Sequence, residues 1–486
     1  MLIAEAPTFP SFSVQPMSQI NHRFIIIGAG PTGLGAALRL LELGEPDFLL
    51  IEATATVGGL AGSVVDERGF TWDLGGHVQF SHYQKFDEYM ALALGEDGWI
   101  SHQRESWVWI RGRFVPYPFQ YNLHRLPKEE LWRCVQGLLE VARAPGGTPA
   151  DFEDWILRTF GRGIAEVFLL PYNFKVWAYP PAAMNARWVG ERVAVPDLQT
   201  VLKGICLGED NLSWGPNNTF RYPRTGGTGA IWTKLAEQIP ADNKTFSDAV
   251  VALDAPNRTV TTQSGARFGY ERLISTLPLD RLAVLVGDPA LIEQTGRLLY
   301  SSVHVVGIGL RGQPPEALRT KCWIYFPEDD CPFYRVTLFS NYSPHNTPEP
   351  GATWSLLAEV SESPQKQVDS TQVVEEVIRG LHATRLISPD ADILTRWHRR
   401  LEHGYPTPSR ERDAILEQTL PALEALQLYS RGRFGGWRYE VSNQDHSMMQ
   451  GVEVVERLLN GRQELTLNQP ELVNGRYNQN PYPEWR

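Results

Sequence analysis

Residues 24–59, FIIIGAGPTGLGAALRLLELGEPDFLLIEATATVGG, run in the order strand, glycine turn, helix, strand and acidic residue, and that order decides the fold. Phe24–Ile27 is a short β-branched run, which predicts a parallel strand buried on both faces. Gly28, Gly30 and Gly33 form a GxGxxG turn, with Thr32 beside them as a further cofactor-binding position. The first glycine permits the tight bend, the second lets backbone approach a pyrophosphate, and the third lets the helix pack on the strand, with the helix N-terminus favouring the anion. Leu34–Leu43 has helical apolar spacing, Phe48–Ile51 returns as the next strand, and Glu52 ends it where an acidic side chain can take a ribose hydroxyl pair. Gly58 and Gly59, followed by Leu60, supply a second close backbone approach, a pattern associated more with FAD than with NAD. The unit predicts a dinucleotide site in a doubly wound, Rossmann-like α/β domain.

At 486 residues the chain exceeds the size at which one core keeps growing, so two or three domains are expected. The net charge of −11 argues against nucleic acid and against an anionic membrane surface, so a negative ligand needs a locally basic pocket. Fifteen Trp and 17 Tyr are enough to fill the cores and still line a cleft for a ring-bearing ligand. Cys134, Cys206, Cys322 and Cys331 form no CxxC and no metal-ligand spacing, which predicts a reduced, cytoplasmic protein without a catalytic thiol. The N-terminal residues 1–19 lack a basic region and a continuous apolar core, and read as a loose arm rather than a secretory signal. No apolar run is long enough for membrane insertion. The eleven histidines do not cluster with Cys or Asp at ligand spacing, so no metal is expected.

Further along, Gly75-Gly76-His77 pairs two glycines with a histidine, where backbone can come close to a flat ligand. Residues 85–100 and 128–170, the latter including 128–143 and 151–161, are amphipathic and helical, with an extended aromatic loop at 115–120 between them. Gly226-Gly227-Thr228-Gly229 precedes another helix and strands at 249–253 and 258–262, while HVVGIGLRG, KCWIYFPED, FYRVTLFSNYS and TWSLLAEVSES predict an antiparallel sheet over 300–360. The expected organisation is an FAD-binding domain from 20–85, 219–285 and 425–465. It is interleaved with a mostly helical domain at 86–218 and an antiparallel sheet domain at 286–424, and 466–486 forms a tail.

Seven ordered stretches then carry a resemblance: WDLGGHVQFSHYQKFDEYM (72–90), PYNFKVWAYP (171–180), ARWVGERVA (186–194), WGPNNTFRYP (214–223), CWIYFPEDDCPFYRVTLFSNYSP (322–344), HRRLEHGYPTP (398–408) and GRFGGWRYEVSNQDHSM (432–448). From residue 23 to about 478 the chain resembles the UDP-galactopyranose mutase family, most closely its eukaryotic branch. The resemblance implies a flavoenzyme that interconverts UDP-galactopyranose and UDP-galactofuranose with no net redox change. N5 of reduced FAD attacks the anomeric carbon while the protein supplies orientation and electrostatics.

Residue by residue, the resemblance implies a diphosphate grip by Arg192 and Arg335, whose planar forks stay charged at any working pH. Tyr325, Tyr342, Tyr405 and Tyr439 add neutral donors around the diphosphate. Tyr117, Phe119, Gln120, Phe168, Asn173 and Trp177 match the uridine and mobile-loop side, Trp323 is a further substrate-binding position, and Asn217 lies on the second moving loop. His77 matches a histidine beside the isoalloxazine, and Gly75, Gly76, Val250, Arg433, Asn443, Gln444 and Ser447 match further flavin contacts, Asn443 also lying near the sugar. Arg104, His82 and Arg433 resemble positions that help NADPH reduce the flavin. Ser442 departs from the family's glycine in a loop by sugar and flavin. A mutase for another nucleotide sugar stays open, as does a redox enzyme of the amine oxidase or protoporphyrinogen oxidase type, although the latter has little use for two phosphate-gripping arginines ringed by tyrosines. A homo-oligomer is compatible with all of these.

Overall fold

The computed structural model describes residues 20–143, 147–212 and 218–475, so the N-terminal arm, Asn217 and the last part of the tail lie outside the described residues. The opening unit folds as expected: strand Ile20–Ile27, helix Pro31–Glu42 and strand Phe48–Ile51. Ile20–Ile27 lies parallel between Phe48–Ile51 and Arg267–Ser275, and Leu428–Ser430 pairs in parallel with Arg267–Ser275. Strands Thr259–Thr262 and Val250–Asp254 extend this sheet antiparallel, and Lys244–Thr245 closes its other edge. Residues Phe24–Ile27 are buried on both faces, which is why the run is continuously apolar.

One face of the sheet is covered by helices Pro31–Glu42 and Gln444–Asn460, which pack backbone to backbone. A Cβ at Gly451 would lie 1.9 Å from the Thr32 carbonyl oxygen, and one at Gly35 would lie 2.4 Å from that of Met448. The close approach holds the N-terminus of Gln444–Asn460 against the glycine turn.

The second sheet runs in the order Ile393–Pro406, Tyr300–Arg311, Thr353–Glu362, Arg335–Leu338, Trp323–Tyr325, Ser106–Ile110, Arg113–Pro116. It is antiparallel except where Trp323–Tyr325 meets Ser106–Ile110. The segment 86–218 is therefore less helical than its periodicity predicts. Helices Gln84–Leu94, Lys128–Arg143 and Phe152–Ile164 form, but Ser106–Ile110 and Arg113–Pro116 join the sheet and Trp99–Gln103 pairs with Thr219–Pro223. Alternation explains this: Val108, Ile110 and Val115 face the helical core while Trp109 packs on the opposite cluster. The expected aromatic loop at 115–120 is accordingly split between a strand end and a short helical turn, Phe119–Tyr121, after a cis Tyr117–Pro118 bond.

A stack of aromatic rings spans the sheet. Trp72 lies 5.8 Å from Phe70, 6.1 Å from Phe339 and 6.0 Å from Trp397, ring centre to ring centre. Tyr300–Arg311 makes room with glycines, since a Cβ at Gly307 would meet the Trp72 ring at 2.6 Å and one at Gly309 would meet the Phe70 ring at 2.7 Å. The stack fixes the strand that leads into Gly75-Gly76-His77.

Candidate active site

The glycine turn has the shape a dinucleotide requires. Gly28 has φ +98°, and a Cβ at Gly33 would lie 1.9 Å from the Gly28 carbonyl oxygen. Gly58, at φ +100°, donates its N–H to the Ala29 carbonyl at 2.9 Å, so the Gly58–Gly59 turn faces the first turn. Helix Pro31–Glu42 has no side-chain cap, which leaves its N-terminal N–H groups to an anion. The Glu52 carboxylate is steadied at the strand end by the N–H groups of Ala29 (2.8 Å) and Thr54 (2.9 Å). Leu60 follows in a tight turn, Gly59–Ala61, and Val250 stands at a bulge on the strand beside Glu52, whose carbonyl accepts the Asp248 N–H at 3.2 Å.

Beyond this cradle opens a cleft of about 1140 Å³. Gly76, Arg335, Tyr325, Trp323, Arg192, Tyr439, Trp177, Asn173, Tyr117 and Asn443 are among the residues that line it. These residues come from strands, helices and loops up to several hundred positions apart. Arg192 ends a short helical turn, lies 5.2 Å from the Tyr439 ring centre and donates to the Glu440 carbonyl, while its buried Nε finds no partner among the described residues. Asn173 is anchored to the Leu169 carbonyl at 2.7 Å, and Trp177 packs edge-on against Tyr439 at 4.7 Å.

Other residues of the expected set form a second layer. Phe119 stacks on Phe168 at 4.6 Å and Phe168 on Tyr172 at 5.2 Å, and of these three only Tyr172 reaches the cleft wall. Gln120 is buried and donates to the Ala194 carbonyl, bracing the segment that carries Arg192. Tyr342 is buried against Phe220 at 5.4 Å, and Tyr405 lies under the Arg433 guanidinium at 4.9 Å. Arg433 donates to the Gly404 carbonyl and, at 2.9 Å, to the Ser442 hydroxyl. Ser442 has φ −122°, so nothing in this backbone demands the family's glycine, and its hydroxyl gives Arg433 an extra acceptor. Asn443 stands at the N-cap position of helix Gln444–Asn460 without a side-chain capping bond, the Gln444 side-chain carbonyl accepts from Gln79 at 2.8 Å, and the Ser447 N–H donates to the Asn443 carbonyl at 2.8 Å.

The electrostatics suit a neutral donor set around fixed cations. Glu359 holds Arg335 well above the usual guanidinium range against the cost of burial. Burial pushes the Tyr117, Tyr172 and Tyr342 phenols above their ordinary value, so each stays protonated. Burial drives His77 down to about 4, with Arg335 and Arg433 acting in the same direction, and leaves its Nδ1 without a partner among the described residues. A neutral imidazole with an orphaned buried nitrogen fits a polar ligand atom as its missing neighbour. The four cysteines are free, and burial pushes Cys322 up to about 11 and Cys134 and Cys331 up to about 12.

Chain spacing missed three groups. Glu359 binds Arg335 in a fork at 2.8 and 2.9 Å, and Tyr334 joins the same carboxylate at 2.7 Å. His82, which lines the cleft, meets Asp445 at 2.7 Å, with His446 nearby, so histidines do cluster with an aspartate. They come from segments more than 360 residues apart, which no local spacing reveals; the Asp445 oxygens take the N–H groups of His82 and His446, a hydrogen-bonding role.

Fold and cradle define a flavoprotein, and the model of the flavin containing amine oxidoreductase family matches residues 31–431. The chain is similar to a solved UDP-galactopyranose mutase in reduced form, at 49% identity and TM-score 0.91, over 93% of this chain and 97% of that one. It therefore belongs to the UDP-galactopyranose mutase family within that flavoprotein class, and is a flavin-dependent mutase with FAD as cofactor. A fatty acid isomerase from P. acnes (14% identity, TM-score 0.62, 90% of this chain and 99% of that one) shares the fold. So does a putrescine oxidase (15%, 0.61, 92% and 100%). Among the described residues, no helix is long and apolar enough to cross a membrane.

Proposed function

We propose that the chain interconverts UDP-galactopyranose and UDP-galactofuranose with no net redox change. The observation that carries this reading is the convergence of Arg192 and Arg335, from distant elements, on one aromatic cleft that Gly76 also lines. An oxidase acting on amines or apolar substrates gains nothing from two such cations.

Reduced FAD, when bound, supplies the nucleophile for the sugar's anomeric carbon through N5. The protein supplies the rest. Arg335 and Arg192 hold the diphosphate as it leaves and until it returns, and their charge does not change over the cycle. Tyr325 and Tyr439, on the same walls, add neutral hydroxyl donors, while Tyr117 and Trp177 offer ring faces for the uracil. Tyr405 and Tyr342 position these walls from behind. His77 stays neutral, so its imidazole can share a proton with the flavin side without adding a second positive charge there. NADPH is the reductant this reading favours, with Arg104 and His82 on the cleft wall to receive it. The free cysteines support a reducing, cytoplasmic setting.

The test is stoichiometry under anaerobic conditions. One reductive charge of the flavin should support many turnovers of nucleotide sugar. Consumption of one equivalent of reductant or oxygen per product would establish a redox enzyme instead.

A further inference from the structure

After helix Gln444–Asn460 the chain returns to the cleft. Glu464 is buried and takes Arg431 Nη2 and Arg457 Nη1, each at 2.7 Å, while the Thr466 N–H and hydroxyl donate to buried Glu453 at 2.9 and 2.5 Å. Tyr83 joins the Thr466 hydroxyl at 2.7 Å. So fastened, the helical turns Leu465–Asn468 and Pro470–Asn474 lie along the cleft. All of residues 468–475 line it except Val473, which is 1% exposed and packs into the core of the first sheet. Near the end of this run the Asn474 side-chain amide donates one N–H to the Pro470 carbonyl at 2.9 Å and the other to the Glu440 carbonyl at 3.0 Å, the same oxygen to which Arg192 donates from Nη2. We propose that Asn474 is a positioning residue for Arg192, sharing the Glu440 carbonyl with it so that the guanidinium can pass to an anion without orphaning a buried acceptor. This rests on the diphosphate grip proposed above.

The Glu440 carbonyl cannot follow Arg192. Glu440 is buried, and both oxygens of its carboxylate accept from buried Arg412 at 2.8 Å, which fixes the residue. A carbonyl oxygen has two lone pairs, and Arg192 and Asn474 fill them. The bond from Asn474 to Pro470, four residues back along the same turn, sets the amide's rotation and aims its other N–H at Glu440. Arg192 is held by little else. Among the described residues no carboxylate pairs with it, its buried Nε has no partner, and its remaining contact is the Tyr439 ring, 5.2 Å away at its centre. The cost of drawing it to a diphosphate is therefore set by what its departure leaves behind. With Asn474 in place the carbonyl keeps a donor. Without it, the same movement leaves a buried acceptor unsatisfied, which costs more than exchanging one hydrogen bond for another. Asn474 thus acts on ligand affinity through the carbonyl and Arg192.

The experiment titrates UDP into the flavin-loaded protein by calorimetry, comparing wild type, Asn474→Ala, Arg192→Ala and the double variant. Asn474→Ala should raise the UDP Kd by about three- to tenfold, with flavin content unchanged. In the Arg192→Ala background the same substitution should move Kd by less than about twofold, because the residue through which it acts is gone. Asn474→Asp keeps the shape, removes the donor and adds a charge that retains Arg192. It should weaken UDP at least as much as Asn474→Ala, and it serves if the alanine variant does not fold. An equal weakening in both backgrounds would mean that Asn474 merely props the cleft wall, and would overturn the positioning role. Wild-type affinity in both Asn474→Ala and Asn474→Asp, with Arg192→Ala weakened, would overturn it too and leave the diphosphate grip standing. Wild-type affinity in Arg192→Ala would overturn the grip and the positioning role together.

Discussion

Arg192→Ala separates binding from stability more cleanly than any other substitution in the cleft. Among the described residues no carboxylate pairs with Arg192; it makes a hydrogen bond to the Glu440 carbonyl and lies over Tyr439. Losing both contacts costs about 1 kcal/mol each. The fold and flavin content should therefore survive, in contrast to Arg335→Ala, which strands buried Glu359 at a cost of about 3–5 kcal/mol. A charge-assisted hydrogen bond to phosphate contributes about 1.5–3 kcal/mol, which is roughly a 10- to 150-fold weakening of UDP binding at about 1.4 kcal/mol per tenfold. Arg192→Lys should recover part of this, because it restores charge without the planar fork. The assay is calorimetric titration of UDP into the flavin-loaded variant, with the flavin absorbance spectrum as the control. A Kd within about twofold of wild type, with the flavin spectrum unchanged, would refute the assignment of Arg192 to the diphosphate.

Acidification should weaken the fold. His77 at about 4 and His446 at about 3 refuse protons that their unfolded imidazoles accept below 6.5, so stability falls as pH drops through that window. Asp73, pushed up to about 6 by burial, works in the opposite sense between 6 and 3.8. The two histidines outweigh it, and His102, His304 and His398, which burial also lowers, act in the same sense. Urea midpoints at pH 7, 6 and 5 check the slope, and His446→Gln should flatten it. Gly451→Ala should loosen FAD retention, since its Cβ has only 1.9 Å to the Thr32 carbonyl oxygen. Overpacking of this kind costs about 1–3 kcal/mol, readable as a faster release of flavin on dilution. Tyr439→Phe keeps the ring against Trp177 and Arg192 but removes the phenol, and should weaken UDP by roughly fivefold, about 1 kcal/mol, with flavin content unchanged.

What was legible in the sequence follows from how local each signal is. The opening strand, turn and helix were readable because buried parallel strands are continuously apolar and the glycine turn is contiguous. Strand Ile393–Pro406 was not, since it is an edge strand whose exposed residues include Arg396, Arg399, Arg400 and Glu402, so it reads as a polar segment. The short strands Ser106–Ile110 and Arg113–Pro116 were hidden by the helices on either side. Arg192, Arg335 and the tyrosines came from matching motifs. The division between cleft wall and second layer, with Phe168 behind Tyr172, needed the fold. Glu359 was invisible for a different reason: its partner Arg335 is set by the pairing of two strands, and its burial by a strand covered on both faces, neither of which TWSLLAEVSES reveals.

The most direct test of the mutase reading is product identity. The flavin-loaded protein is reduced with dithionite, kept anaerobic, and incubated with UDP-galactofuranose, and the nucleotide sugars are separated. UDP-galactopyranose should accumulate to equilibrium over many turnovers per flavin, and the oxidised protein should give none. Unchanged UDP-galactofuranose in the presence of fully reduced flavin, or conversion that proceeds equally well with oxidised flavin, would contradict it.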